Sequence, residues 1–395
     1  MAEAAVDAIP TLHFPREAFE QRIARARALL QERGLSALLL FGQESHYYLT
    51  GFDTSGFVYF QCCVLTADDQ PLTLLTRLPD RQQAFESSIL EDVRIWYDAE
   101  GADPALELKD ILDEKGLAGE TIGIELDTYG LTAWNYDRLQ KALGGWCQLT
   151  DASDVIRSLR LIKSDQELVH IRRAAVLADD ALAAMLRACT PGTLESSITA
   201  VGLKVMLDGG GDVPPGPPLV NSGRRALFGR GISGPRPLSP VDQVTIEFAS
   251  TFRRYNVCIM RTAIVGEPSE EQRDMFALTH RALDAMTEAA APGRPLGDID
   301  GAYREVFDAA GHQTHRWGAC GYSLGATFRP SWMDVPPMLY SGNPTLAQPG
   351  MVLFLHSVFP NVDSGLAMSL GHTILVMENG REVLSNAALD FPVCG

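Results

Sequence analysis

Hydrophobic and polar positions along the first 150 residues follow a pattern that predicts helices and strands in turn. Apolar residues recur every three or four positions over residues 16–33, which is the spacing of one helix face, and Gly34 follows as a stop signal. The segment 47–51 is interpreted as the end of a strand. Further apolar runs that are typical of strands occupy residues 37–41, 57–65, 72–76, 121–125 and 146–149. The pattern predicts an α/β domain, and none of its strands leads into the closely spaced glycines of a nucleotide-binding loop.

Local signals change near residue 157, where we place the boundary between a domain of residues 1–157 and one of residues 158–395. The sequence Ser164-Asp165-Gln166-Glu167 is a capping box that predicts the start of a long helix. Two long helices of the second domain end in similar turns, Pro191-Gly192 and Pro292-Gly293, and each is followed by another helix and by strands. This repeat predicts an α+β domain with pseudo-twofold symmetry and a site where its halves meet.

The segment 244–265 is predicted to be a β-hairpin, because two apolar runs with strand-like composition flank a polar turn. One carboxylate, Glu247, stands between two large apolar residues of the first run. An unpaired charge in such surroundings costs several kcal/mol. We therefore expect Glu247 either to form an ion pair with Arg254 or Arg261, or to take part in chemistry.

Composition restricts the partners of the protein. The 395 residues exceed the usual size of one hydrophobic core, which favours two domains. A net charge of −17 argues against nucleic acid and anionic membrane as partners, since neither attracts an acidic surface. No apolar run approaches the roughly 20 residues of a membrane span, and the first residues lack the features of a signal peptide. We therefore expect a cytoplasmic protein, whose seven scattered cysteines are reduced.

Several short motifs follow one another in a specific order and spacing. They are Leu161-Ile162-Lys163-Ser164, Pro191-Gly192, Asn221-Ser222-Gly223, Arg261-Thr262, Pro292-Gly293 and Pro349-Gly350-Met351-Val352. In this order they resemble the creatinase/prolidase/methionine aminopeptidase superfamily, over nearly the whole chain. The resemblance implies a pita-bread fold for the second domain and a ribonuclease-H-like topology for the first. It also implies a homodimer in which the partner subunit contributes to each site.

Most members of that superfamily bind two metal ions with five side chains, namely two Asp residues eleven positions apart, one His and two Glu residues. The corresponding positions in this sequence are Glu247, Cys258, Tyr322, His356 and Gly371, and all five residue types have changed. A dinuclear centre of hard divalent ions needs several carboxylates, and this set offers one. We therefore predict a site without metal or other cofactor. The alternative is a single zinc ion at Glu247, Cys258 and His356, which are all zinc ligand types.

The resemblance is strongest to the metal-free branch of the superfamily, to which creatinase and ectoine hydrolase belong. Two patterns carry it: the strand 246–249 followed by Arg253-Arg254-Tyr255, and the loop 321–325 followed by Pro330-Ser331-Trp332. Creatinase hydrolyses a guanidinium C–N bond, and ectoine hydrolase opens a cyclic amidine. Arg230 occupies the position that corresponds to the catalytic histidine of creatinase. This difference argues against creatine itself as the substrate.

Hydrolysis of an amidine or amide without metal needs a base or nucleophile, a proton donor and groups that match the charge of the substrate. We predict Glu247 as base or nucleophile, His356 as a proton shuttle near neutral pH, and Tyr322 as a hydrogen-bonding group for the substrate. The predicted substrate-binding residues are Arg230, Arg261, Cys258, Arg329, Trp332 and His372. The arginines suit a carboxylate, and His372 is a second choice as proton donor. The alternative to a role in the site is plain packing for Tyr322, Cys258 and Trp332. For Arg329 the alternative is a solvated position on the surface.

Residues of the first domain reach the partner subunit's site in creatinase, and Phe57, Tyr59 and Arg77 are the positions that the resemblance suggests here. Three hypotheses about function follow. The first is a metal-independent hydrolase of a non-peptide C–N bond in a small zwitterionic metabolite, similar to ectoine hydrolase. The second is a metal-dependent Xaa-Pro aminopeptidase or lyase of the same fold. The third is a catalytically inactive family member that acts as a binding module.

Overall fold

A computed structural model describes residues 12–394 of the chain. The chain divides into two compact units, of which the first ends at Arg160 and the second begins at Leu161. The boundary that we placed at residues 157 and 158 lies in the same helix as this division. No helix in residues 12–394 combines the length and the apolar character that crossing a membrane requires.

The first unit contains a mixed sheet with helices on both faces. Its helices are α1 (Arg16–Glu32), α2 (Gln43–Thr50), α3 (Arg81–Ser87), α4 (Pro104–Glu114), α5 (Ala133–Leu143) and α6 (Asp154–Leu161). Its strands are β1 (Ala37–Leu40), β2 (Cys62–Thr66), β3 (Thr73–Arg77), β4 (Asp92–Trp96), β5 (Thr121–Ile124) and β6 (Gln148–Asp151). They lie in the order β4-β3-β2-β1-β5-β6. Leu38 and Leu40 pack on the side of α1 and α6, whereas Ala37 and Leu39 pack on the side of α4 and α5.

The interpretation of residues 47–51 as a strand end is wrong, because these residues complete α2. Gly51 ends that helix with a left-handed φ of 83°, and its N–H donates to the carbonyl of Tyr47. Every residue of α2 except Glu44 is buried. A helix that is buried on all sides has no polar face, so its sequence lacks the periodicity by which an amphipathic helix is identified.

The second unit is built on a large sheet that is covered by helices on one face. Its helices are α7 (Asp165–Ala188), α8 (Glu195–Asp208), α9 (Glu270–Ala289) and α10 (Gly297–Ala309). Its strands are β7 (Leu219–Ser222), β8 (Asp242–Phe252), β9 (Tyr255–Val265), β10 (Ala319–Ser323), β11 (Met338–Tyr340), β12 (Val352–Asn361), β13 (Leu366–Met377), β14 (Gly380–Val383) and β15 (Val393–Cys394). The sheet order is β11-β10-β12-β13-β9-β8-β7, with β14 beside β13 and β15 beside β9.

The predicted hairpin is confirmed as β8 and β9, which pair along their full length. The turn consists of Arg253 and Arg254, with left-handed φ values of 49° and 69°. Two consecutive residues with positive φ are typical of the tight turns that match the twist of a hairpin. The predicted capping box is confirmed as well, because Ser164 and Glu167 exchange both of its hydrogen bonds at the start of α7.

Alternation along the strands separates two faces of this sheet. Leu353 and Leu355 of β12 belong to the hydrophobic core that α9 and α10 complete. Because neighbouring residues of a strand point to opposite faces, Phe354 and His356 face away from these helices. The face without these helices therefore presents Phe354 and His356, and it carries the cavity described next.

Candidate active site

A cavity of about 460 Å³ lies in the second unit, on the face of the sheet opposite α9 and α10. Strands β8, β10 and β12 supply Glu247, Tyr322 and His356 to its wall. Strands β7, β10 and β11 also contribute Leu219, Ala319 and Met338. Loops supply the remaining lining residues, which are Gly216, Pro217, Gly229, Arg230, Trp317, Pro330, Ser331, Trp332 and Met333. This volume suits a small molecule rather than a folded partner.

The five positions of the family's ligand set lie on one face of the sheet. His356 is directly opposite Gly371, Gly371 is opposite Met260, and Met260 is opposite Glu247. Cys258 lies two residues before Met260 on the same strand, so its side chain shares that face. Tyr322 joins them from β10, and its hydroxyl lies 3.9 Å from the Cys258 sulfur. The structure therefore brings together the residues that sequence reasoning selected at these positions.

Glu247 is a buried carboxylate without a salt bridge to any described residue. It has neither of the expected ion pairs, with Arg254 or with Arg261. Its burial raises the pKa of the carboxyl to about 7, against smaller lowering effects of the Arg230 charge and of the Tyr322 hydroxyl. Glu247 therefore exchanges a proton in the neutral range, as a general base or acid must do to work at neutral pH.

Tyr322 and Trp332 form a short hydrogen-bonded chain that leads to Glu247. The indole Nε1–H of Trp332 donates to the Tyr322 oxygen at 2.8 Å. The Tyr322 hydroxyl donates in turn to Oε1 of Glu247 at 3.4 Å. Burial raises the pKa of Tyr322 well above its usual range, so the phenol keeps its proton. The structure thus gives Trp332 a polar contact in the site in addition to packing.

His356 lines the cavity, but burial lowers its pKa to about 4. The imidazolium form is then scarce near neutral pH, which argues against the predicted role as a proton shuttle; that role stays a prediction. Its Nδ1 has no hydrogen-bond partner among the described residues, and its ring lies 5.7 Å from that of Trp317. A neutral imidazole of this kind is able to orient a substrate or a water molecule by hydrogen bonding.

The donor set does not fit the two-metal centre that the family pattern implies. A Cβ added at Gly371 would lie 2.7 Å from Cζ of Phe354, so an aromatic ring fills the space of the fifth ligand. Residues 12–394 contain no group of three His, Cys, Asp or Glu side chains arranged to hold a metal ion. The zinc alternative at Glu247, Cys258 and His356 therefore has no geometric support.

Arg261 and His372 were predicted to bind the substrate of this site, and the structure places both elsewhere. Arg261 follows Met260 and His372 follows Gly371, so each points to the helix side of the sheet. Nε2 of His372 accordingly lies 2.9 Å from Oγ1 of Thr287 on α9. Arg261 was predicted from its guanidinium and His372 from its position after Gly371, and neither prediction took account of the alternation of faces along a strand.

Arg230, Arg329 and Cys258 have different relations to the cavity. Arg230 lines it with an exposed side chain, as expected for a group that meets a charged substrate at the entrance. Arg329 is exposed and does not line the cavity, so the surface alternative is correct for it. Cys258 is buried beneath Tyr322 and does not line the cavity, and its raised pKa disfavours a nucleophilic role.

Two aromatic residues of the site escaped sequence reasoning. Phe354 lies two residues before His356 on β12, so strand alternation was a signal that could have found it. Trp317 carries no such signal, because it lies in the loop before β10. A Cβ on Gly229 would lie 2.6 Å from Cη2 of Trp317, so this loop glycine permits a close approach to the indole.

In the first unit, Arg77 and Tyr59 form a surface cluster. The Arg77 guanidinium lies 4.2 Å from the centre of the Tyr59 ring and is paired with Asp98. Tyr59 is exposed, whereas Phe57 is buried. A role for these residues at a partner subunit's site, and the homodimer that this role requires, stay predictions.

Comparison with known proteins places the chain among two-domain hydrolases. Models of metallopeptidase family M24 and of the creatinase/prolidase N-terminal domain match residues 169–378 and 22–162. Ectoine hydrolase from Halomonas elongata is 26% identical over 399 residues, covering 97% of this chain and 98% of that protein. Xaa-Pro dipeptidase from Pyrococcus furiosus is 24% identical over 367 residues, covering 93% and 98%. The prolidase structure from Thermococcus sibiricus is 20% identical, with a TM-score of 0.86 over 95% of this chain and 99% of that chain.

These matches define a protein with a creatinase-type amino-terminal domain and a pita-bread carboxy-terminal domain. The chain belongs to metallopeptidase family M24. The family resemblance inferred from the motifs is thereby confirmed, and the similarity to hydrolases and peptidases supports a hydrolase. The ribonuclease-H-like topology of the first domain and the pseudo-twofold symmetry of the second stay predictions.

Proposed function

We propose that the protein is a metal-independent hydrolase of a non-peptide C–N bond in a small zwitterionic metabolite such as a cyclic amidine, a guanidino acid or an amide. The observation that carries the proposal is Glu247, a buried carboxylate without a salt bridge in the described chain, in a cavity of about 460 Å³. Glu247 occupies one of the five positions at which most family members bind metal, and the other four positions of this chain hold no carboxylate. The similarity to ectoine hydrolase, an enzyme named for such a substrate, supports the proposal.

In this mechanism Glu247 acts first as a base and then as an acid. The ionised carboxylate takes a proton from a water molecule, and the hydroxide forms a bond to the amidine carbon. The protonated Glu247 then returns the proton to the leaving nitrogen as the C–N bond breaks. A pKa of about 7 allows both transfers at neutral pH. The Tyr322 hydroxyl donates to the carboxylate and orients it.

The walls of the cavity suit a substrate that carries both charges. Arg230 at the entrance offers a guanidinium for a carboxylate. Trp317, Trp332 and Tyr322 offer aromatic faces, which attract the delocalised cation of an amidine or guanidine. A carboxylate at the entrance and a cation among the aromatic rings would bring the C–N bond towards Glu247.

Activity is expected to be independent of metal. Elemental analysis of the purified protein should find no divalent metal in stoichiometric amount, and turnover should be unchanged after incubation with EDTA. The assay is ring opening or ammonia release with a panel of cyclic amidines, guanidino acids and N-acyl amino acids. Stoichiometric metal, with activity that EDTA removes and metal restores, would contradict the proposal.

Similarity to Xaa-Pro dipeptidase favours a metal-dependent peptidase as the second candidate. Xaa-Pro dipeptides therefore belong in the same panel, with and without added Mn²⁺, Co²⁺ or Zn²⁺. Turnover of these dipeptides only with metal would establish that candidate in place of ours. Binding of panel compounds without any turnover would indicate the third hypothesis, an inactive binding module.

Trp332→Phe is expected to lower kcat about tenfold while KM changes little. The variant keeps an aromatic wall but removes the indole N–H that donates a hydrogen bond to the Tyr322 oxygen. Without that hydrogen bond the Tyr322 hydroxyl proton is no longer directed towards Glu247. Steady-state kinetics on the best substrate of the panel measures the effect. Trp317→Phe is the matched control, because Trp317 lines the same cavity without a hydrogen bond to Tyr322. Equal kcat values for the two variants would show that the indole N–H has no such role.

A further inference from the structure

A second cavity, of about 490 Å³, lies on the other face of the same sheet, towards α9. Arg261 and His372, which the first site does not use, both line it. Asp284 and Glu288 of α9 and Arg381 of β14 complete its charged wall. The cavity therefore combines two buried polar residues of the sheet with charged groups of both signs.

Arg261 is a buried cation whose charge is not neutralised locally. Its side chain is 1% exposed, and no carboxylate of the described chain lies within salt-bridge distance. Nη1 donates to the carbonyls of Met260 and Gly371 at 2.9 and 2.7 Å, and Nη2 reaches that of Ala387 at 3.4 Å. Nε has no partner.

Buried guanidinium groups are normally paired with an anion, because neutral carbonyls compensate only part of the cost of removing the charge from water. Asp179 and Asp390 act on Arg261 only at longer range. The cavity beside Arg261 is therefore a place where the carboxylate of a ligand would supply the missing pair.

The opposite charge for a ligand lies on α9. Asp284 and Glu288 are four residues apart, so they stand on one side of that helix, and both are exposed. Asp284 contacts Nδ1 of His280 at 3.1 Å. The Glu288 carboxylate has no ion pair in the described residues, since Arg381 donates to its backbone carbonyl instead. A buried cation thus lies in the same small cavity as two carboxylates.

We propose that this cavity is a second ligand site, which binds a small amino acid with its carboxylate at Arg261 and its ammonium group at Asp284 and Glu288. The charges of such a zwitterion match the cavity at both ends, whereas a simple anion would meet the two carboxylates. His372, held by Thr287, forms part of the wall beside Arg261. The inference does not depend on the proposed reaction.

Isothermal titration calorimetry of the full-length protein with the twenty protein amino acids tests the site. At least one of them is expected to bind with a Kd in the millimolar range or tighter. The double variant Asp284→Asn, Glu288→Gln should weaken that binding about tenfold or more, because it removes the charges that hold the ammonium group. Both residues are exposed, so the variant is expected to fold. Acetate and methylammonium, which each carry half of the zwitterion, should bind more weakly than the amino acid.

Arg230→Gln separates this site from the first cavity. It removes the guanidinium that the first cavity offers to a carboxylate, on the other face of the sheet, and should leave amino acid binding unchanged, whatever it does to turnover. Arg261→Lys, which keeps the charge but loses the planar guanidinium, should weaken binding of the amino acid and of acetate alike. The proposal is overturned if none of the twenty binds in a saturable way, if the double variant binds as tightly as the wild type, or if binding is lost in Arg230→Gln.

Discussion

Replacing Glu247 by Gln is expected to lower kcat by about 10³-fold on the best substrate of the panel. The amide keeps the size of the side chain and still accepts the hydrogen bond from Tyr322, but it does not take a proton from water. General base catalysis alone contributes about 10² to 10⁴-fold to a rate, and here the same group also returns the proton to the leaving nitrogen. Substrate affinity should change only a few-fold, since Arg230 and the aromatic walls remain.

The control for this variant is Glu382→Gln, the same substitution at a partly exposed carboxylate that is paired with Arg172 outside the cavity. It should keep the kcat of the wild type. If Glu247→Gln also turns over at the wild-type rate, the carboxylate has no part in the reaction and the mechanism is wrong. A loss of substrate affinity that accounts for the whole effect would instead make Glu247 a binding group.

The pH dependence of the wild type provides an independent check on the same residue. Because the reaction starts from ionised Glu247, kcat/KM should fall about tenfold per pH unit below the pKa of the free enzyme, which lies at about 7. An acidic limb near the ordinary range of a glutamic acid, about 4.3, would contradict a base in this buried environment. His356, with a pKa of about 4, is not expected to contribute to that limb at neutral pH.

The sequence predicted the hairpin and the family positions well, because both depend on local signals. Glu247 is conspicuous as a carboxylate in an apolar strand, and the motifs around Tyr322 and His356 fix their positions by spacing. Neither signal requires knowledge of distant contacts. The structure accordingly brings Glu247, Tyr322 and His356 to one cavity, as the family pattern implied.

The errors concern properties that arise only in the folded chain. His372 follows the site position Gly371 and Arg261 lies three residues after Cys258, yet strand alternation sends both to the other face, where they line a different cavity. The low pKa that argues against His356 as a proton shuttle likewise results from burial, which residue type does not reveal. Trp317 reaches the site from a loop, and no periodicity marks a loop residue as part of a cavity.

Glu247→Gln is also expected to affect the free energy of unfolding differently at two pH values. The difference between the variant and the wild type should favour the variant by about 3 kcal/mol more at pH 8 than at pH 4. In the folded protein Glu247 has a pKa of about 7, compared with about 4.3 in an unfolded chain. Between these values the folded state holds a proton that the unfolded state has released, so stability falls as pH rises through this window. The full loss is reached above pH 7, and a glutamine, which does not titrate, avoids it.

Urea denaturation of the wild type and of both glutamine variants at pH 4 and pH 8, followed by tryptophan fluorescence, measures this difference. Any effect of the amide on packing or hydrogen bonding is present at both pH values, so the change between them isolates the ionisation of Glu247. Glu382→Gln shows what the same substitution does at a partly exposed carboxylate outside the cavity. A difference between Glu247→Gln and the wild type that is the same at pH 4 and pH 8 would mean that Glu247 titrates as an ordinary glutamic acid. The proposed base would then lack the raised pKa on which its double role depends.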